Sequence, residues 1–231
     1  MIVIGKNVAL ELLKNNKKIN KIYLYDNFND NNLLNEITKR KIEVIYKSKQ
    51  EMFKIDNGNH QGIILDIPDY KYFEIEDVTN SNGFLVILDH IEDPHNFGAI
   101  IRTCEAAGVD GIIIPEDRSV DINSTVMKTS SGALDNMKII KVININTTID
   151  KLKKKGYWII GSSLDTNQIY DKQKYIYPLV LIIGNEGKGI SKLTKEKCDM
   201  LVKIPMKGKI NSLNASVSAG IIIYEILKNR S

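Results

Sequence analysis

The chain has 231 residues, of which 43% are hydrophobic and 26% charged, with a formal net charge of +4 at neutral pH. That composition builds a core of one or two soluble domains and excludes a disordered chain, and the mild basic excess permits a nucleic-acid partner without arguing for one. Cys104 and Cys198 have no paired spacing, so neither a disulfide framework nor a cysteine metal site is indicated.

From the start, MIVIGKNVALELL lacks a basic segment leading into an apolar stretch and a cleavage site, and no apolar run approaches the ~18 residues a membrane span needs. A cytoplasmic protein is expected. Periodicity predicts a helix at Val8–Leu13, a strand at Lys21–Tyr25, a helix at Asn31–Lys39 and strands at Ile42–Tyr46 and Ile63–Ile67, the last entered through the turn His60-Gln61-Gly62. The apolar pattern then lapses from Pro68 to Asn82, which places a boundary there and divides the chain into 1–70, a linker at 71–82 and 83–231.

Beyond the boundary, strand, loop and helix alternate. Strands are expected at Phe84–Asp89, Gly111–Pro115, Lys138–Ile143, Tyr157–Ser162, Pro178–Ile183 and Leu201–Ile204. Helices are expected at Phe97–Ala107, Ser124–Ser131, Thr148–Lys155 and Ala215–Leu227. The fold class is therefore α/β, with a mostly parallel sheet covered by helices on both faces. The lysines at 151 and 153–155 read as a solvated helix end. In such sheets ligands bind beyond the carboxyl ends of strands, which directs attention to three polar loops: Asp89–Asn96, Gly184–Gly189 and Met206–Asn214.

In the first loop Asn96 is positioned to cap the following helix, and Arg102 lies six residues on. Its planar, permanently charged guanidinium suits a phosphate or a developing oxyanion, although taken alone a salt bridge to Glu105 or Glu92 is the more ordinary use. His90 and His95 lack a third ligand of convincing spacing, so no metal is expected. The second loop, GNEGKGIS, has the glycine separation of a phosphate-binding loop, but Ile190 stands where the lysine is needed. What remains is a turn whose Gly184 lets backbone approach a ligand, with Glu186 beside it. In the third stretch Asn214 is an N-cap candidate at the mouth of an apolar helix, and Lys203, Lys207 and Lys209 crowd the loop before it.

Taken together, these loops resemble the three motifs of the SpoU class of RNA 2'-O-ribose methyltransferases, in the SPOUT superfamily. Asn96-Phe97-Gly98 with Arg102 is similar to the first motif and Gly184-Asn185-Glu186-Gly187 with Gly189 to the second. Ile204-Pro205-Met206 through Ser212-Leu213-Asn214-Ala215-Ser216 is similar to the third. Ser162-Ser163-Leu164-Asp165 and Ser131-Gly132-Ala133 extend the resemblance over 83–231. Gly5-Lys6-Asn7-Val8 and His60-Gln61-Gly62 resemble the small ribosomal-protein-like domain of the bacterial branch that methylates guanosine in 23S rRNA.

The resemblance implies a deep trefoil knot in the second domain and an RNA substrate-binding role for the first. It implies S-adenosylmethionine as cofactor, held by Gly184, Ile204, Leu213, Gly187, Met206 and Ser163. It implies Arg102, Asn96, Glu186, Ser212 and Asn214 as catalytic residues and Lys207 and Lys209 as RNA contacts. A homodimer, 23S rRNA as substrate and no membrane association are the partner expectations. A tRNA or resistance-type rRNA 2'-O-methyltransferase is the alternative within the class, and a non-catalytic RNA-binding or ribosome-assembly protein is the alternative outside it.

Overall fold

The computed structural model describes residues 1–228, so the last three residues of the expected second domain lie outside it. The chain divides into two compact units, Met1–Lys71 with Ile122–Ser124, and Tyr72–Asp121 with the chain from Thr125 onward. Each is described by itself.

The first unit carries four strands, β1 (Ile2–Ile4), β2 (Lys21–Tyr25), β3 (Val44–Lys47) and β4 (Ile63–Asp66), in the order β1-β4-β2-β3. β2 and β3 are parallel, while β4 runs antiparallel to both β1 and β2. Helices α1 (Lys6–Lys14), α2 (Asn31–Arg40) and α3 (Lys49–Ile55) connect them. Alternation in β2 buries Ile22 and Leu24 completely, so that strand supplies the centre of the unit's core. Two elements go beyond those predicted. β1 is three residues long and has no periodicity to read; its partner β4, some sixty residues away, supplies its hydrogen bonds. α3 buries only Met52, so its apolar face is too narrow to register, although Ser48 and Glu51 form a capping box that marks its start.

The second unit holds β5 (Phe84–Asp89), β6 (Gly111–Pro115), β7 (Ile139–Val142), β8 (Trp158–Ser162), β9 (Leu179–Gly184) and β10 (Met200–Val202). They form one sheet in the order β10-β8-β9-β5-β6-β7, every pairing parallel. All of β5 and all but the last residue of β9 are buried, as continuous apolar central strands should be. Helix α6 (Ile145–Lys154) contributes Ile149 and Leu152 to a core shared with Leu85, Ile113, Ile159 and Val180. Helices α4 (Pro94–Ala106) and α8 (Ala215–Lys228) bury Phe97, Ile100, Ile101 and Cys104, and Ala219, Ile222, Ile223 and Ile226, respectively. α5 (Ser124–Ser130) and the short α7 (Lys192–Lys197) complete the set; α7 was not predicted, because its single buried residue, Thr194, is polar.

The stretch 71–82, read from the sequence as a linker, is mostly exposed but is anchored at two buried residues. Phe73 bridges to Ile140, a short 3-10 helix spans Ile75–Asp77, and Ile75 and Val78 join the core. Two or three apolar residues per turn of irregular chain carry no period, which is why the pattern is invisible before folding.

The strand order reverses between β5 and β9: the chain builds outward through β6 and β7, then returns to lay β8, β9 and β10 on the other side. Asp89 and Gly184, the last residues of β5 and β9, lie opposite each other in register. The loops leaving β5, β9 and β10 therefore emerge at one end of the sheet.

Candidate active site

The loop after β9 is shaped by its backbone. Gly189 N–H donates to Asn185 O at 2.7 Å, closing a tight hairpin, and Asn185 Oδ1 accepts from Gly187 N–H at 2.9 Å. The returning strand crosses Gly184 so closely that a Cβ there would lie 2.2 Å from the carbonyl carbon of Gly189 and 2.3 Å from Ile190 N. Only glycine fits. Ile190, which occupies the place of a phosphate-binding lysine in the loop comparison, is buried in the sheet's core, so the hairpin is anchored by an apolar residue at that position.

The loop after β10 turns back across the neighbouring β8 loop. Lys203 N–H donates to Gln168 O at 2.9 Å and Ser163 N–H to Val202 O at 3.0 Å, while Ser163 Oγ accepts from Asp165 N–H at 3.2 Å. Between these segments lies a cavity of about 370 Å³. Gly184, Ile204, Leu213, Gly187, Met206 and Ser163 all line it, and Glu186 and Ser212 line it as well. Its walls combine Ile183, Ile204 and Leu213 with backbone polar groups, the mixture expected of a small-molecule site.

Beside the cavity three side chains from distant parts of the chain converge. Glu186 Oε1 accepts from Asn96 Nδ2, from Asn214 Nδ2 at 3.0 Å and from Ala215 N–H at 3.4 Å. Asn214 Nδ2 also donates to Asn96 Oδ1 at 2.9 Å. Asn214 caps α8, its Oδ1 accepting from Ser216 N–H at 2.9 Å and Val217 N–H at 3.4 Å. The carboxylate of Glu186 thus sits at the amide-rich start of α8, where negative charge is favoured. Asn96 corrects an expectation. Asp93 is the cap of α4, accepting from His95 N–H at 2.9 Å with Pro94 in the first turn, and Asn96 is buried inside the helix as the hub of this trio.

The remaining candidates stand apart from the cavity. Arg102 is exposed on α4, outside the lining and without an ion pair to Glu105 or Glu92; Glu105 accepts instead from Asn136 Nδ2 at 3.2 Å. Lys207 and Lys209 are exposed in the β10–α8 loop. His90 Nδ1 is paired with Asp89, and among the described residues no cluster of three His, Cys, Asp or Glu could hold a metal.

Lys203, noted in the sequence as part of the basic loop, lines the cavity, and two further lining lysines, Lys188 and Lys195, escaped sequence reasoning. Lys195 on α7 pairs with Asp165 at 2.5 Å, and this bond holds the Asp165 carboxyl below its ordinary range. Thirty residues separate the two, so spacing offered no signal.

A family model described as the SpoU rRNA Methylase family matches residues 83–224, and one described as RNA 2'-O ribose methyltransferase substrate binding matches residues 2–73. A Bacillus subtilis (strain 168) protein, provisionally named as a TrmH family tRNA/rRNA methyltransferase, is 37% identical over 238 residues, covering 99% of this chain and 96% of its own. The SpoU methyltransferase AviRb from Streptomyces viridochromogenes, solved with the cofactor AdoMet, superposes with a TM-score of 0.78 at 20% identity, covering 100% of this chain and 90% of that one. At that identity the likeness is one of fold. The A. aeolicus TrmH/SpoU tRNA modifying enzyme gives a TM-score of 0.59 at 32% identity over 67% of this chain and 78% of its own.

Proposed function

This chain belongs to the SpoU rRNA methylase family, and from that premise we propose that it methylates a ribose 2'-hydroxyl of RNA, at a guanosine of 23S rRNA near the peptidyl-transfer region. The cofactor is S-adenosylmethionine, which supplies a methyl group activated by its sulfonium. One observation carries the reading: the six residues proposed to hold the cofactor line a single cavity, with the Asn96–Glu186–Asn214 cluster beside it.

The residues fit that cofactor. Gly184 brings backbone to the cavity surface, while Ile204 and Leu213 provide apolar contact for an adenine. Ser163 and Met206 complete the wall. A ribose hydroxyl is a weak nucleophile at neutral pH, so its proton must be polarised while it is held in line. Glu186, Asn96 and Asn214 form a preorganised polar surface for that orientation, with Ser212 available to contact substrate. Arg102, whose planar guanidinium suits anions, has no ion pair with Glu105 or Glu92 and is assigned to an RNA phosphate and the reacting hydroxyl together. Lys207 and Lys209 add phosphate contacts that position RNA without reading its sequence.

Arg102 stands off the cavity of its own chain, which supports a homodimer in which a second copy completes the site. Val217 and Tyr224, one face of α8, are 49% and 50% exposed and offer the apolar surface for it. The first unit is assigned to RNA substrate binding, and the β10–α8 segment to a trefoil knot around the cofactor.

The deciding experiment is tritiated methyl transfer from S-adenosylmethionine to large-subunit rRNA and to bulk tRNA, each purified from a strain lacking this protein. Label mapping to a guanosine ribose of 23S rRNA is the expected result. Label confined to tRNA overturns the substrate, and no label in either, with RNA still bound, overturns the enzyme. Arg102→Ala is expected to lower turnover at least 100-fold while leaving cofactor affinity within about threefold; equal loss of both would make Arg102 structural.

A further inference from the structure

Asp89 is the most deeply buried carboxylate among the described residues, 2% exposed, and the reaction described above gives it no task. Burying a carboxylate costs several kcal/mol unless donors are supplied, so its partners are informative. One oxygen accepts from Ser191 N–H at 3.0 Å and the other is paired with Nδ1 of the adjacent His90. His90 holds a left-handed backbone, φ 63°, and its carbonyl accepts from Asn185 Nδ2 at 3.0 Å.

Asn185 and Ser191 are the two ends of the hairpin that follows β9, and Glu186, Gly187 and Gly189 of the cavity lining lie between them. Both ends are therefore tied to the same dipeptide at the tip of β5. Neither Asp89 nor His90 lines the cavity. The tie at Ser191 uses a backbone amide, which a neutral acceptor could have satisfied; the second oxygen of Asp89 is what recruits the His90 ring, and with it the carbonyl that receives Asn185.

We propose that Asp89 and His90 are positioning residues, a two-point clasp that holds the hairpin 185–191 in its binding shape before S-adenosylmethionine arrives. The inference rests on the reading of the cavity as the cofactor site. A hairpin released at either end must be ordered again on each binding event, and that entropy is subtracted from affinity for the cofactor rather than from affinity for RNA. The clasp acts through Asn185 and Ser191 and touches neither reacting group.

The test uses the full chain and three substitutions: Asp89→Asn, His90→Gly and His90→Asn. Glycine removes the ring while accepting the left-handed backbone; asparagine accepts that backbone and restores a donor beside Asp89. Calorimetric titration with S-adenosylmethionine is expected to show binding about tenfold weaker in Asp89→Asn and His90→Gly, with His90→Asn recovering most of it. KM for RNA, and kcat at saturating cofactor, are expected to stay within about twofold. Amide exchange is expected to rise in 185–191 of His90→Gly and to stay unchanged in the β5 and β9 strands.

Wild-type affinity in His90→Gly overturns the clasp, as does a loss that His90→Asn fails to recover or one shared equally by KM for RNA. Should Asp89→Asn not fold, the two His90 variants decide alone. A wild-type chain that binds no S-adenosylmethionine overturns the cofactor reading and the clasp with it, whereas a wild type that binds and variants that bind equally overturn the clasp only.

Discussion

At Gly184 the absence of a side chain is itself the functional feature. The clash there involves backbone, so nothing nearby can rotate away, and Gly184→Ala is expected to weaken S-adenosylmethionine at least tenfold by calorimetry while β5 and β9 stay paired. Asn96 teaches a different lesson. Its place ahead of an apolar run made it a cap candidate, but Asp93-Pro94 just before it carries the stronger signal: a cap followed by a residue whose φ is already helical. The carboxamide was thereby released for Glu186 and Asn214, partners 90 and 118 residues away that no local pattern connects. The thiols belong to this scale too. Burial, and secondarily Asp199, pushes the Cys198 thiol up to about 12, and burial raises the Cys104 thiol as well. Both are therefore neutral thiols at pH 8, so iodoacetamide is expected to label the native chain slowly and to label both cysteines once urea unfolds it.

Among the elements, α1 and α3 show how short helices are secured by their ends. Arg40 reaches from α2 to the last turn of α1, donating from Nη1 to Leu12 O at 3.2 Å and Leu13 O at 3.4 Å, and from Nη2 to Lys17 O at 2.5 Å. Arg40→Met keeps the stem but removes those donors, and is expected to cost the first unit about 2 kcal/mol in urea unfolding. At α3 the Ser48 hydroxyl, then the Ser48 backbone N–H and Lys47, hold the Glu51 carboxyl down to about 2 from its ordinary 4.5. A carboxyl lowered in the folded state contributes stability that is present above its unfolded pKa and lost as pH falls through the folded value. The contribution of this cap is therefore expected above pH 4.5 and lost toward pH 2. Ser48→Ala should be less stable than wild type at neutral pH, and the gap should close across that window when thermal midpoints are compared. The S-x-x-E spacing at Ser48 marks the start of α3 in the sequence, but a helix with one buried residue shows no apolar period.

Over the whole molecule, the reversal of strand order in the six-stranded sheet brings three loops from distant parts of the sequence to one end. The loops after β9 and β10 line the cavity together with the loop after β8, and α4, which follows the β5 loop, sets Asn96 beside it, so a fault in any of them is expected to reach the cofactor. The proposed homodimer belongs to the same scale. Val217→Asp places a charge on the exposed face of α8 without disturbing its buried face, and is expected to convert a sedimenting dimer to monomer and to lower methyl transfer while leaving the helix content intact. A wild-type chain that sediments as monomer and still transfers methyl groups would remove the dimer from the proposal.

Strong local patterns were enough to read much of this molecule before folding. The buried strands Phe84–Asp89 and Leu179–Gly184, the amphipathic helices, and three polar loops with their ordered motifs each express themselves over a few consecutive residues, because side-chain periodicity and turn chemistry are local properties. Other features depend on partners far along the chain. β1 exists because β4 pairs with it, Ile75 and Val78 are core because β7 and its neighbours receive them, and Lys195 is brought to the cavity by α7. Hydrogen bonds such as Asn96 to Glu186 and Ser191 to Asp89 join residues that become neighbours only when a parallel sheet crosses over itself, and contact in space across such separations leaves no period in the chain.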